Sequence, residues 1–156
     1  MACEHADLID GIITWGGSSF YKKSDCRPSR PVSIIHLHGT DDATIPYNGI
    51  PMVLPSAPTV VNRWASYMGC KEKIRDFTLK VRGISLKSKK INFSGYKNCR
   101  GGKVSILGTI PGGKHVFPML SSKIFDFILD AALYNEYDLD KTKFRSSRMK
   151  KTYLSK

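Results

Sequence analysis

No run of about 18 apolar residues occurs in this chain, which excludes a helix long enough to span a bilayer. The opening Met-Ala-Cys-Glu-His-Ala-Asp lacks the basic stretch and apolar core of a secretory signal. None of the four cysteines sits in a Cys-x-x-Cys pair, which argues against a zinc ribbon or a thioredoxin-type site. There is no internal repeat. Acidic residues are scarce, 13 Asp and Glu against 25 Lys and Arg, for a formal net charge of +12. A Gly-x-Ser-x-Gly elbow, the turn that presents a nucleophilic serine, is also missing from the 156 residues.

The length and the 41% hydrophobic content describe one domain, large enough to bury a core without depending on disulfides. The positive charge is uneven. Residues 71–100 hold ten Lys or Arg against Glu72 and Asp76, and residues 141–156 hold seven and no acid. Such blocks attract nucleic acid or anionic surfaces. No aromatic-interleaved basic motif accompanies them, so no specific nucleic-acid partner is expected. The plainer reading is a solvated loop and a frayed basic tail. Cys3, Cys26, Cys70 and Cys99 form an even set compatible with two disulfides by any of three pairings, or with four reduced thiols.

Residues 1–8 read as the last turns of a helix, and residues 11–15 as a short apolar strand closed by Gly16-Gly17. Residues 32–37 are a continuous β-branched run of the kind a buried parallel strand shows. Ser56 as cap and Pro58 in the first turn open a helix to Met68, with Val60, Val61, Trp64 and Met68 on one face and Gly69 ending it. Phe77, Leu79 and Val81 alternate with polar residues, a half-exposed strand, and Ile91-Asn92-Phe93 would be its partner. Residues 104–110 form a further strand, residues 122–134 a last helix, and the chain beyond Asp140 a disordered tail. This is an α/β order of elements. Its buried-type strands are few, which would leave one apolar sheet edge open.

Two segments carry chemistry. Residues 34–47 end a strand at Gly39 and turn through Asp41 and Asp42; residues 111–118 form a Gly-rich loop presenting His115. A strand-end acid followed by a later loop histidine is the Asp…His portion of a Ser…Asp…His triad in one of its known chain orders. His36 and His38 fall on one face of their strand and invite a zinc reading with Asp41. Thr40 precedes Asp41, however, and Asp42 stands in place of the closing histidine of a His-x-His-x-Asp-His site, so hydrogen-bonded structural histidines are the plainer expectation. Ser18 and Ser19 follow Gly16-Gly17 but lack the flanking glycine an elbow requires.

Taken together, residues 38–47 (His-Gly-Thr-x-Asp-x-x-x-Pro-Tyr) and 112–118 (Gly-Gly-Lys-His-Val-Phe-Pro) resemble the C-terminal half of the polyhydroxybutyrate depolymerase and feruloyl-esterase family of α/β hydrolases. Lys114 and Phe117 depart from the family's Gly-Gly-Gly-His-x-Trp-Pro pattern. Trp64-Ala-Ser-Tyr-Met-Gly-Cys70, Tyr96-Lys-Asn-Cys99 and Ala2-Cys3-Glu4 are also similar to family features.

The resemblance implies Asp42 as triad acid, His115 as triad base, and disulfides Cys3–Cys26 and Cys70–Cys99. It implies a partial α/β-hydrolase fold: the last strands and helices of a doubly wound, mostly parallel sheet, with the nucleophile half missing. Residues 1–136 would be the C-terminal part of that catalytic domain and 137–156 the basic tail. The expected function is a fragment of a secreted serine carboxylic-ester hydrolase, inactive alone, acting in the full family on a polyester or aromatic ester. A chain supplying the missing half would be a partner, and no cofactor or metal is implied. The alternative is a non-catalytic remnant binding an anionic partner through its basic segments.

Overall fold

The computed structural model of the chain describes residues 2–80 and 90–115. Its organising element is strand β2 (Ser33–Gly39), in which all seven residues are buried. A strand hidden on both faces needs a neighbour on each edge, and β2 has two. On one side it pairs in parallel with β1 (Gly11–Trp15), Ile13 opposite Ile35. On the other it pairs in parallel with β6 (Ser105–Ile110), His38 opposite Thr109.

Between β2 and β6 the chain makes helix α1 (Ala57–Met68), two short strands β3 (Glu72–Lys73) and β4 (Phe77–Lys80), and the long strand β5 (Lys90–Lys97). β5 lies antiparallel to β6 on one edge, and β3 and β4 lie antiparallel to it on the other. The six-stranded sheet is therefore mixed, in the order β1-β2-β6-β5-β3 with β4 also against β5.

This corrects the expectation of a doubly wound, mostly parallel α/β-hydrolase sheet. The cause lies in the connections. Residues 98–104 join β5 to β6 and fall well short of the dozen or so residues that a parallel crossover needs, so the two strands run in opposite senses. The half-buried alternation of β4 and β5, with Phe77 opposite Phe93 and Leu79 opposite Ile91, is that of an antiparallel pair. Only one α-helix occurs among the described residues. The expected helix at 122–134 and the tail at 137–156 lie outside them, as does the 81–89 part of the basic stretch.

α1 covers one face of the sheet. Ser56 caps it by accepting a hydrogen bond from Thr59 N–H, Pro58 sits in its first turn, and Gly69 ends it. Val60, Trp64 and Met68 pack with Ile34, Val32, Cys26 and Cys99, while Ala57 and Val61 meet Leu107. The Ser105 hydroxyl donates to the Val61 carbonyl at 2.8 Å, tying helix to sheet in the dry interior. On the opposite face Ile35, Leu37, Ile91, Phe93 and Ile106 form a second apolar cluster. β2 thus presents Ile34, His36 and His38 to one side and Ile35 and Leu37 to the other, by the period of two of a strand.

Residues 2–8 form turns, not the helical ending expected, and are pinned by the Cys3–Cys26 disulfide and by Arg30, whose Nε donates to the Ala6 carbonyl at 2.6 Å. The second disulfide, Cys70–Cys99, joins the exit of α1 to the start of the β5–β6 connection. Because it closes a long loop, a double Cys70→Ser, Cys99→Ser variant is expected to lose about 3 kcal/mol of unfolding free energy. Urea titration of the oxidised wild type against the variant measures it; equal midpoints would show that the staple adds nothing.

Candidate functional site

The carboxyl ends of the three parallel strands β1, β2 and β6 converge, and the loops leaving them build one polar cluster. Two loops are stitched to each other by backbone. Asp41 N–H donates to the Gly113 carbonyl at 2.9 Å, and Thr40 N–H to the Ile110 carbonyl at 3.0 Å. The Thr40 hydroxyl oxygen accepts from Gly112 N–H at 2.8 Å. The two backbones touch so closely that a Cβ on Gly39 would stand 2.1 Å from the Gly113 carbonyl oxygen. No side chain fits there, and the sequence supplies glycine.

This seam brings together Asp42 and His115, 73 positions apart in sequence: Asp42 Oδ2 accepts from His115 Nδ1–H at 2.9 Å. The Asp42 side chain is fully buried, whereas that of His115 is 42% exposed. The other carboxylate oxygen, Oδ1, accepts from the Thr44 and Ile45 N–H groups, both at 2.9 Å, in a turn that folds back on the side chain. Burial pushes the Asp42 carboxyl up, but the hydrogen bonds from Ile45, His115 and Thr44 outweigh it and hold the group below its usual value. Asp42 is therefore an anion at neutral pH. With Nδ1–H engaged by that anion, His115 keeps Nε2 as its acceptor face.

Asp41, by contrast, is exposed and takes the Thr40 hydroxyl at 3.1 Å. His36 and His38 are both buried, and their nitrogens meet head to tail, His36 Nε2 to His38 Nδ1 at 3.0 Å, instead of converging on a common point. Among the described residues no group of three or more His, Cys, Asp or Glu is arranged to hold a metal ion.

Gly16, beside the pair, and Thr14, behind it, carry no site signal in the sequence, and Tyr47 carries one only as the last residue of the 38–47 motif. Gly16, just past β1, has φ +55°, and a Cβ there would lie 2.9 Å from Asp42 Oδ2 and 3.1 Å from His115 Nδ1. Its role depends on β1 lying beside β2, which the residue pattern alone does not state. Thr14 reaches His36 through the same pairing. Tyr47 stands edge-on to the His38 ring and hydrogen-bonds Thr109 at 2.8 Å, linking the Asp42 loop to β6.

No protein-family model matches the chain. Among curated proteins it is similar to feruloyl esterase B of Piromyces equi, at 33% identity over 95 residues. The match covers 58% of this chain but 16% of that protein, so the chain spans less than a fifth of its relative's length. The likeness is to an esterase.

Two expectations follow from this geometry. Burial, and after it the neighbouring His38, hold the His36 pKa at about 4 against an ordinary 6.5. The unfolded chain therefore takes up a proton that the folded one refuses. Stability is complete above the ordinary value and falls with pH until the folded value is reached, by on the order of 3 kcal/mol. Urea midpoints between pH 7 and 4 should show this slope in the wild type and a flatter one in His36→Gln; an unchanged slope contradicts it. Gly16→Ala should cost about 1–2 kcal/mol from its left-handed backbone alone. It should also perturb the His115 imidazole resonances in NMR spectra, which a purely remote turn residue would leave in place.

Proposed function

We propose that Asp42 and His115 are the acid and base of a serine-type carboxylic-ester hydrolase. The observation that carries this reading is the 2.9 Å bond between a buried, fully hydrogen-bonded carboxylate and Nδ1 of a half-exposed histidine. A carboxylate in that position fixes the imidazole tautomer and stabilises the imidazolium that forms when Nε2 takes a proton. The proton would come from a serine hydroxyl attacking the ester carbonyl, and His115 would return it to the leaving alcohol. Water would then be activated by the same Nε2 to release the acid.

No Gly-x-Ser-x-Gly elbow occurs in the 156 residues, so in this reading the nucleophile, with the oxyanion donor that follows it, would be contributed by other polypeptide. The likeness to feruloyl esterase B supports an ester substrate, and feruloyl-type aromatic esters are the finer form of that proposal. The two disulfides support a protein that works in an oxidising, extracellular setting.

The decisive experiment is a chimera in which this chain replaces the corresponding part of feruloyl esterase B. It should hydrolyse feruloyl esters, and Asp42→Asn in the chimera should lower kcat by about 10⁴-fold with little change in KM. His115→Ala should be at least as damaging. The 156-residue chain alone should turn over nitrophenyl acetate no faster than its own His115→Ala variant. A folded chimera indifferent to Asp42 and His115 would overturn the proposal.

A further inference from the structure

Behind Asp42, on the sheet face that α1 covers, runs a line of polar side chains that the proposed reaction does not use. Thr14 Oγ1 lies 2.6 Å from His36 Nδ1, His36 Nε2 lies 3.0 Å from His38 Nδ1, and His38 Nε2 lies 2.8 Å from the Ile45 carbonyl. The same His38 Nε2 is 3.4 Å from Asp42 Oδ2. Both imidazoles are about 1% exposed. Two polar rings in a core that apolar residues could have filled are costly unless fully paired.

The protons on this line follow from its last member. A carbonyl oxygen only accepts, so His38 Nε2 carries the proton facing Ile45. In a neutral ring His38 Nδ1 is then the acceptor, and the proton between the rings belongs to His36 Nε2. His36 Nδ1 is therefore an acceptor as well, and the Thr14 hydroxyl donates to it. Burial keeps His36 neutral, which preserves this arrangement through the physiological range.

Every donor on the line thus points toward the Asp42 loop. Ile45 is the hinge of the arrangement: its carbonyl accepts from His38 while its N–H donates to Asp42 Oδ1. We infer that Thr14, His36 and His38 form a one-way positioning relay that fixes Ile45 and the buried carboxylate of Asp42, and through them the orientation of His115. His38 is the member that matters most, because it alone reaches both Ile45 and Asp42. These are positioning residues, since none of them touches His115. The inference rests on reading Asp42 and His115 as the acid–base pair.

The test uses the full 156-residue chain and NMR, so it needs no turnover. Long-range proton–nitrogen spectra should show His36 and His38 both as Nε2–H tautomers. A downfield His115 Nδ1–H resonance should be present and should vanish in Asp42→Asn. In His38→Leu that proton should exchange with water roughly tenfold faster, as befits loss of one hydrogen bond supporting a charged group. His38→Gln, whose amide restores a donor near the Nε2 position, should return exchange toward the wild-type rate.

Absence of the His115 resonance in the wild type would refute the acid–base reading itself. Its presence there, with exchange unchanged in His38→Leu, would overturn the relay while leaving that reading intact. Should His38→Leu fail to fold, the wild-type tautomers decide: Nε2–H on both rings supports the relay, and Nδ1–H on either overturns it.

Discussion

The buried carboxylate of Asp42 is the constraint around which the cluster is arranged. An anion with no exposed side-chain surface is tolerated only when its lone pairs are taken up by donors. Two donors come from the turn that follows it and one from His115. His38 adds a fourth polar contact at longer range. Each contribution has its own structural requirement. The turn needs the loop geometry beyond β2, His115 needs the β6 loop to lie against it, and His38 needs the α1-facing side of β2. Remove the anion and these requirements lose their common purpose.

The sheet supplies the placement. β2 and β6 end opposite each other and β1 ends two residues short of them, so the loops that leave the three strands converge, and a strand-end acid and a loop histidine far apart in sequence become neighbours. The antiparallel half contributes differently. β5 covers the other edge of β6, and with β2 it holds that strand in place, which in turn sets where the Gly112-Gly113 loop begins. The mixed sheet is thus a parallel margin, which bears the candidate site, backed by an antiparallel support.

Much of the site was legible in the sequence. The β-branched run into Gly39 marked a buried strand, and the acid just beyond it and the histidine after a glycine pair marked the loops. The helix was legible because its cap, its proline and its apolar face agree with one another. Strand direction was less so. The alternation of Phe77 and Leu79 already had the half-buried pattern of an antiparallel pair, but family resemblance favoured a mostly parallel sheet. Gly16 and Thr14 were illegible as site residues for a different reason. Their meaning comes from which strand lies beside which, and a pattern read along one strand carries no information about the register of its neighbour.

The seam between the two loops has a mechanical consequence. Because Thr40 and Asp41 are bonded directly to Ile110, Gly112 and Gly113, a displacement of either loop drags the other with it. A relative displacement of Asp42 and His115 would therefore have to break this seam, whereas a joint displacement of the two loops would not. A misplacement of about 1 Å between reacting groups can cost 10²-fold in rate. In the proposed reaction, a joint that rides with its sheet would keep that error small.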